Sequence, residues 1–315
     1  MVDDAQLSRS KAIHRRTGRT FYYATRLLPE RVRHATYVLY AFFRVADEVV
    51  DDADGLTADE QRERLETIRE AVLTGETDED VLAAFAELRE RYDIPDEEVN
   101  IFIDAMLTDI EKSRYETYAE LESYMRGSAA AVGVMMTYVM RPDDPDEALS
   151  AARRLGEAFQ LTNFVRDVRE DVVERDRIYL PRETLERHGV TFEQVEDLAY
   201  DEAFAAAVRE ELQRTESLYR EGVAGISLLP RDCQLPVLTA AVLYADHHRL
   251  VRERDCDVLS ETPSLSTRRK LRLVVETRLH WFWTKDPETV FARVSAIPSG
   301  TQPSHEHPGE PLPAR

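Results

Sequence analysis

The sequence predicts an all-α protein, because apolar residues recur with helical spacing from Thr20 to Phe291. The 315 residues include only 11 Gly, and few segments alternate apolar and polar residues as half-buried strands do. With 43% hydrophobic residues the chain can bury a large core, and we expect one helical domain over residues 18–294. Residues 1–17 are polar and predict a flexible lead-in. The Pro-, Ser- and Gly-containing residues 295–315 predict a disordered tail.

In the first half of the chain, Pro, Gly and runs of charge indicate the helix boundaries. Pro29 ends a first helix, and the next one continues without Gly or Pro to a turn at residues 51–55. Residues 57–92 predict two charged outer helices that are separated near Gly75. A more apolar helix opens after Pro95.

The second half continues the helical pattern. Small residues over 127–136 indicate close packing of a neighbouring helix or of a long apolar ligand, and close helix packing is the commoner cause. A loop at residues 141–145 precedes the helix that leads into residues 160–171. Residues 182–258 predict two or three further helices, and a basic helix begins near Arg268.

The net charge of −20 and an isoelectric point near 4.9 argue against a nucleic acid partner, since phosphate backbones are bound by basic surfaces. Four Lys stand against 37 Arg, which predicts adaptation to a salt-rich cytoplasm; the alternative is an ordinary acidic protein. The polar N-terminus predicts no secretory signal, and the longest uncharged apolar run, residues 128–140, is too short for a membrane span. We therefore expect a cytoplasmic protein with at most a peripheral membrane contact, and the oligomeric state stays open.

Two segments without Gly or Pro repeat one arrangement of acidic residues. In each, two Asp residues lie four apart and so share one face of a helix. An Arg precedes the first Asp, and a polar residue lies on the same face one or two turns earlier. These residues are Tyr40, Arg44, Asp47 and Asp51 in the first segment and Asn163, Arg166, Asp167 and Asp171 in the second.

Acidic pairs with this spacing are common in so acidic a chain. Because 61 of 315 residues are Asp or Glu, about a dozen such pairs are expected by chance, so the spacing alone is a weak motif. Surface pairs such as Glu66 with Glu70 need no function. The first segment differs because Phe42, Phe43 and Val49 make its helix apolar on most sides, which indicates burial. Buried ionisable pairs indicate function more often than exposed pairs do.

A divalent cation explains carboxylates in apolar surroundings, because like charges buried without one repel each other and are poorly solvated. Mg²⁺ prefers oxygen ligands and is usually held by one or two carboxylates together with substrate phosphates. Arg19 and Thr20 could hold a phosphate at a helix start, although by themselves they are better explained by a plain helix cap beside a core stripe. Arg177 follows the second acidic segment and could close over a diphosphate. The aromatic residues 279–283 beside basic residues suit a membrane interface or ordinary core packing.

The motifs, taken together, resemble those of the squalene/phytoene synthase family from about Arg19 to about Leu273. The order is R-x-F-Y, then L-Y-A-F-x-R-x-A-D-E-V-V-D-D, then a Tyr before small residues, and finally Q-L-T-N-x-x-R-D-V-x-E-D followed by R-I-Y-L-P. One departure is Ala130, which stands where the family often has Gly. The resemblance implies an all-helical bundle around a deep central cavity.

The resemblance also implies roles for individual residues. It makes Asp47, Asp51, Asp167 and Asp171 ligands of Mg²⁺ or Mn²⁺. It makes Arg44, Arg166 and Arg177 contacts of diphosphate, with Arg19 and Thr20 as a further diphosphate contact near the N-terminus. It makes Tyr40 and Tyr124 pocket residues near the reacting carbons, and it places Asn163 beside the substrate.

The implied activity is the head-to-head joining of two allylic diphosphates through a cyclopropyl diphosphate. We prefer the phytoene branch, in which two geranylgeranyl diphosphates give phytoene in the first committed step of carotenoid biosynthesis, without NADPH. One alternative is squalene or presqualene diphosphate synthesis from farnesyl diphosphate. Another, from a different class, is a non-catalytic helical protein that binds isoprenoids, and two intact acidic pairs argue against it.

Overall fold

A computed structural model of the protein describes residues 25–51 and 55–298. Within these residues every regular element is helical, and β-type pairing is limited to one isolated parallel bridge between Arg114 and Ile178. The predicted all-α class is therefore confirmed.

The helices succeed one another with short connections. A single π-helical turn (Arg126–Ala130) joins α5 to α6, and a 3₁₀ turn (Gly225–Leu228) follows α11. The α-helices of the described part are α1 (Glu30–Asp51), α2 (Ala58–Thr74), α3 (Asp80–Arg91), α4 (Asp96–Asp109), α5 (Tyr118–Met125), α6 (Ala131–Met140), α7 (Pro145–Arg166), α8 (Val168–Arg175), α9 (Arg182–Arg187), α10 (Phe192–Glu196), α11 (Glu202–Ala224), α12 (Arg231–Arg252), α13 (Thr267–Thr284) and α14 (Pro287–Val294).

Helix α1 carries the first acidic segment and is buried along most of its length, as its apolar sequence predicts. Phe42 stacks on Phe85 of α3 with ring centroids 3.8 Å apart, and it also contacts Phe102 of α4 at 5.4 Å. Such aromatic pairs stabilise a core beyond the area that they bury. The last turn of α1 is therefore held in a fixed position by the helices around it.

The outer helices α2 and α3 end where the sequence predicts. Thr57 and Glu60 form a reciprocal capping box at the start of α2. Gly75 ends this helix with φ of 77°, a left-handed conformation that glycine adopts without strain. The predicted break near Gly75 is therefore present.

Helix α7 lies against α6, α11, α12 and both irregular turns. Glycines bring the backbones together at these contacts. A Cβ atom on Gly156 would lie 2.6 Å from the carbonyl oxygen of Ala129, and one on Gly222 of α11 would lie 2.7 Å from the Leu155 Cβ. The small residues of this region thus serve close helix packing, the commoner of the two explanations.

The second acidic segment is not one continuous helix. Helix α7 ends at Arg166, α8 begins at Val168, and Asp167 lies between them with φ of −99° and ψ of 15°. The helical hydrogen bonds nevertheless continue across the break, because Asp167 N–H donates to Asn163 O and Asp171 N–H donates to Asp167 O, both at 2.8 Å. The two carboxylates consequently keep the i, i+4 relation that the spacing predicts.

Two apolar clusters form the core. The larger joins α1 to α7 with α11, α12 and α14, and the smaller lies beneath α8 and includes Val165, Val168 and Ile178. Ile297 is also buried in the larger cluster, so the packed region continues past the predicted domain end at residue 294. No helix in the described ranges has the length and apolar character needed to cross a membrane.

Candidate active site

The two acidic segments meet at one end of the bundle, where two arginines join them. Arg177 donates from Nη1 to Asp51 Oδ1 over 3.0 Å. Arg175 lies 3.2 Å from Asp171 Oδ1 and 3.9 Å from Asp51 Oδ2, so one guanidinium faces carboxylates of both segments. The last turn of α1 and the first turn of α8 therefore form two facing acidic walls.

The first Asp of each wall has its own arginine. Arg44 Nη1 lies 3.3 Å from Asp47 Oδ2, and its Nη2 lies 3.4 Å from Glu48. Arg166 forms two hydrogen bonds with Asp167, one of them from Nε to Oδ1 over 2.6 Å. The structure thus brings all four predicted aspartates together with three of the predicted arginines, Arg44, Arg166 and Arg177.

Burial and mutual repulsion make the walls unfavourable places for negative charge. Burial, and to a smaller extent the Asp51 carboxylate, raises the pKa of Asp47 to about 6. Burial, and to a smaller extent the Asp167 carboxylate, raises the pKa of Asp171 to about 7. A cation or an added proton would relieve both aspartates of this cost.

The donor set fits a hard cation shared with a ligand rather than a metal caged by protein alone. Within residues 25–51 and 55–298 no three acidic, His or Cys side chains are grouped so that they could hold a metal ion by themselves. Mg²⁺ is commonly held by one or two carboxylates, with water and substrate phosphates completing its six oxygen ligands. Two carboxylates on each facing wall match that pattern.

Aromatic rings lie behind the walls. Phe164 and Tyr179 stack with centroids 3.9 Å apart and an interplanar angle of 11°. Tyr124 lies 5.9 Å from Tyr179 and 5.5 Å from Tyr115. All four residues are buried. Their faces carry partial negative charge and can stabilise a cation in a region from which water is excluded.

Asp109, the last residue of α4, lies among these rings. The Tyr124 hydroxyl donates to Asp109 Oδ2 over 2.7 Å, while Oδ1 is buried without a hydrogen-bond partner among the described residues. Arg177 Nη2 donates to the Asp109 carbonyl oxygen over 3.1 Å. Burial raises the pKa of Asp109 to about 7, although Arg177 opposes the shift. This carboxyl group can therefore accept or release a proton near neutral pH.

Asn163 and Tyr40 occupy less enclosed positions on the same two helices. Asn163 is half-buried one turn before Asp167, and its amide forms no side-chain hydrogen bond within the part of the chain described. Tyr40 lies two turns before Asp47, and its hydroxyl adds to the effect of burial in raising the pKa of Tyr244 on α12. Both positions agree with residues that line a substrate pocket.

His247 of α12 supports Arg166. Its Nδ1 donates to the Tyr244 carbonyl oxygen over 3.0 Å, which leaves Nε2 unprotonated and facing Arg166 Nη1 at 3.5 Å. Burial, aided by the positive charge of Arg166, lowers the pKa of His247 to about 3. The imidazole is therefore neutral at physiological pH.

An apolar cavity lies beside the earlier turns of α7, apart from the walls. Two lining residues on this helix show how far the cavity lies from Asp167. Phe159 lies eight residues before Asp167 and Ala148 lies nineteen residues before it, which corresponds to about 12 Å and about 28 Å at 1.5 Å per residue. The lining is almost entirely apolar. It is formed by Thr25, Leu28, Val132, Gly133, Met136, Thr137, Met140, Ala148, Ala151, Ala152, Leu155, Gly156, Phe159, Gly222, Gly225, Ile226, Leu229, Pro236, Val237 and Ala240.

The structure does not describe two of the predicted site residues, and it adds three residues that the sequence analysis did not assign to the site. Arg19 and Thr20 lie outside the described residues. Sequence reasoning missed Asp109, Arg175 and Tyr179. The available signals were a carboxylate at the end of an apolar helix for Asp109, an Arg one turn after Asp171 for Arg175, and the R-I-Y-L-P segment for Tyr179.

The fold and site together define a helical protein that presents two carboxylate walls and several arginines above an aromatic and apolar interior. The chain belongs to the squalene/phytoene synthase family, whose family model matches residues 14–271. The predicted family is thereby confirmed.

Individual relatives agree with this assignment. The chain is 33% identical over 284 residues to the phytoene synthase of Cereibacter sphaeroides, covering 86% of this chain and 79% of the relative. It is 31% identical to the 15-cis-phytoene synthase of Synechocystis, covering 81% and 79%. Among solved structures, a dehydrosqualene synthase in complex with ligand superimposes with a TM-score of 0.81 at 25% identity, covering 88% of this chain and 97% of that one.

Proposed function

We propose that this protein is a phytoene synthase, a prenyltransferase that joins two molecules of geranylgeranyl diphosphate head to head. The product is phytoene, formed through a cyclopropyl diphosphate with release of diphosphate. The names of relatives at 33% and 31% identity support the phytoene branch. The observation that carries the proposal is the pair of facing acidic walls, bridged by Arg175 and Arg177 above the aromatic rings.

We propose that Asp47 and Asp51 on one wall and Asp167 and Asp171 on the other hold Mg²⁺ or Mn²⁺ together with substrate diphosphate. Bound there, the cations supply Lewis acidity that stabilises negative charge on the departing diphosphate. The raised pKa values of Asp47 and Asp171 support this assignment, because burial and a neighbouring carboxylate disfavour the ionised form and a bound cation would offset both effects.

The arginines orient the diphosphate. Arg44, Arg166 and Arg177 each contact a wall carboxylate, and the guanidinium fork binds phosphate oxygens with equally suitable geometry. We propose that these groups turn from carboxylate to phosphate when substrate binds, which adds charge-assisted hydrogen bonds where negative charge develops. Arg19 and Thr20 stay predicted contacts of the same kind.

The interior protects an allylic cation from water. The rings of Tyr124, Phe164 and Tyr179 are buried behind the walls, and their faces favour a nearby positive charge. The apolar cavity along α7 would hold the prenyl chains and exclude solvent from the reacting carbons. Tyr40 and Asn163 complete the proposed lining near the walls.

A proton must leave when the product forms without a reductant. Asp109 is the strongest candidate to accept it, because its Oδ1 is buried without a partner and its Oδ2 is bound by Tyr124. With a pKa near 7, this carboxyl can take a proton and pass it on during turnover. No NADPH is expected in this branch.

The test is product identification. Purified protein is incubated with Mg²⁺ and either geranylgeranyl or farnesyl diphosphate, with and without NADPH, and the hydrocarbon is identified by mass. We expect a C40 product from geranylgeranyl diphosphate that does not require NADPH. A C30 product from farnesyl diphosphate would overturn the proposal, and its dependence on NADPH would distinguish squalene, which needs a hydride, from dehydrosqualene, which does not. The likeness to a dehydrosqualene synthase makes the farnesyl diphosphate arm of the test necessary. Absence of any Mg²⁺-dependent diphosphate release would instead indicate a non-catalytic isoprenoid-binding protein.

We propose that the enzyme works in the cytoplasm and contacts a membrane peripherally. Its proposed product is a hydrocarbon that partitions into a bilayer, and no described helix is suited to span one. Comparison of soluble and membrane fractions from cells that make the protein tests this location.

A further inference from the structure

We infer that one face of α13 is a docking surface for an anionic lipid bilayer. We call this face, formed by Leu271, Val275, Leu279, Phe282 and Trp283, the outer face. Each of the five side chains is more than half exposed, and they are five of the nine exposed large apolar side chains in the described ranges. Exposed apolar residues concentrated in this way mark an interaction site, whereas scattered ones do not.

The outer face lies opposite the side by which α13 joins the protein. Leu273, Thr277 and Trp281 are buried, and the helix packs on α12 and α14. Arg269 forms two hydrogen bonds with the buried carboxylate of Asp246 on α12, at 2.7 and 3.0 Å. The helix is therefore anchored independently of its outer face, and this apolar row plays no part in its packing.

Basic residues predominate along α13 itself, although the whole protein is acidic and exposed Asp286 and Glu288 follow the helix. Arg268, Arg272 and Arg278 are exposed along the helix, and Lys285 follows at its C-terminal cap. The only acidic residue of α13 is Glu276, which pairs with Arg272 at 2.8 Å. Within the described part of the chain, Arg268, Arg278 and Lys285 form no ion pair.

An anionic bilayer fits this combination better than a second copy of the chain. A helix with an apolar face and flanking Arg and Lys lies in the plane of a membrane interface, where Trp side chains are also favoured. A symmetric pair of α13 helices would bring like basic groups together. Charges more than about 10 Å away are largely screened at moderate salt, so the remote acidic surface repels the bilayer only weakly.

The inference deepens the peripheral membrane contact proposed above by naming the surface and the lipid charge. It depends on α13 alone and not on which hydrocarbon the enzyme makes. Vesicle binding and turnover are therefore measured separately, so that failure of one does not decide the other.

The experiment uses the full chain and its two tryptophans, the buried Trp281 and the exposed Trp283. Vesicles of phosphatidylglycerol mixed with phosphatidylcholine, or of phosphatidylcholine alone, are added at about 0.1 M salt, where the remote acidic surface is screened. We expect sedimentation with the anionic vesicles, a blue shift of tryptophan emission and protection from acrylamide. The variant W283F should keep binding but lose most of the blue shift, which assigns the signal to Trp283.

Substitutions on the outer face separate its apolar and electrostatic contributions. The double variant F282S/W283S should lower partitioning about tenfold or more, because two large apolar side chains no longer enter the interface. R278Q should weaken binding to anionic vesicles more than to neutral ones. The matched control Y200S changes an exposed aromatic residue outside α13 and should leave binding unchanged.

Three results would overturn the inference. The first is equal or absent binding to both vesicle types. The second is a Trp283 already protected from acrylamide without vesicles in a concentration-dependent dimer, which would assign the outer face to a second copy. The third is the same protection in a monomer, which would assign the face to another segment of the chain.

Discussion

The two acidic walls share one sequence spacing but differ in backbone and in burial. Asp47 and Asp51 lie on an unbroken helix with side chains 36% and 30% exposed. Asp167 lies at a helix break and Asp171 one turn after it, with side chains only 15% and 11% exposed. Burial raises the pKa of one carboxyl on each wall, that of Asp47 to about 6 and that of Asp171 to about 7. The same four-residue spacing can thus place carboxylates at different degrees of solvent exposure.

This difference suggests a division of roles. The first wall is the more accessible and is flanked by Arg44, whereas the second is more desolvated and is held by Arg166 with His247 behind it. We expect both walls to be indispensable for turnover but unequal in their effect on stability. Five predictions test the walls and the groups beside them, and they begin with the largest effect.

Asp171→Ala or Asp47→Ala should each lower turnover by about a thousandfold or more, because diphosphate departure would lose a cation ligand. The helical CD spectrum should stay unchanged in both variants. Glu66→Ala and Glu70→Ala on α2 provide a control, since these acidic residues are also four apart but lie on an outer helix. Near-normal turnover in either Asp variant would count strongly against the assignment of metal ligands.

Arg177→Lys should lower turnover by about a hundredfold with a smaller change in KM, because Lys keeps the charge but lacks the planar fork. Arg177 now contacts Asp51 and the Asp109 carbonyl, so it connects the first wall to the aromatic rings. Steady-state kinetics at saturating Mg²⁺ measure the effect. Arg62→Lys, at an exposed ion pair of α2, is the matched control. Equal effects at the two sites would contradict a specific role of Arg177.

Asp109→Asn should lower product formation by about tenfold or more and should flatten the rise in rate expected as pH increases through about 7. Tyr124→Phe removes the hydrogen bond to Asp109 but keeps the ring, so a smaller loss is expected. Rates between pH 5.5 and 8.5 measure both effects. A pH profile for Asp109→Asn that matches the wild type would show that another group accepts the proton.

In the metal-free protein, the contributions of Asp47 and Asp171 to stability should fall as pH rises from about 4 to 7. Buried His247, with its pKa lowered to about 3, contributes in the opposite direction, so the trend is read as the difference between the wild type and the Asp→Asn variants. The folded pKa values of Asp47 and Asp171 lie above the unfolded value of about 3.9, so the folded state binds more protons throughout this window. Stability is therefore lost as these carboxyls ionise, and Mg²⁺ should reduce the loss. The Tm of thermal unfolding, recorded in EDTA and in Mg²⁺ between about pH 4 and 7, measures this loss of stability.

Asparagine variants sharpen the comparison of the walls. Asp171→Asn should raise the metal-free Tm at pH 7 by a few degrees, about 2–4 °C, and Asp47→Asn by less, because its carboxylate is less buried. An equal or reversed order would show that burial does not distinguish the walls.

Local pattern was enough to predict the class of fold and the identity of the wall residues. Proline, glycine and capping signals placed the break at Gly75 and the helix after Pro95, because these residues act on the backbone nearest to them. The two pairs of wall aspartates were indicated by the spacing within each segment together with the family resemblance, and their role as metal ligands stays a prediction. Apolar neighbours in sequence also indicated correctly that α1 is buried.

What the sequence did not reveal depends on contacts between distant segments. Asp109 and Arg177 are 68 residues apart, and their contact requires the chain to return beside residue 113 through the bridge at Ile178. Arg175 joins both walls only because α8 folds against the end of α1. The sequence does not mark the break at Asp167, because no Gly or Pro lies near it. In the structure, helical hydrogen bonds also continue on both sides of Asp167.

The glycine contacts of α7 have a consequence for how this enzyme can change over evolution. Gly156 and Gly222 bring the α7 backbone so close to its neighbours that the helix cannot shift sideways without steric conflict. A variant that accommodates a longer or shorter prenyl chain must therefore remodel side chains on the facing helices, such as Met136 and Met140 on α6 or Val237 and Ala240 on α12. Selection for a new chain length would then leave the wall carboxylates undisturbed.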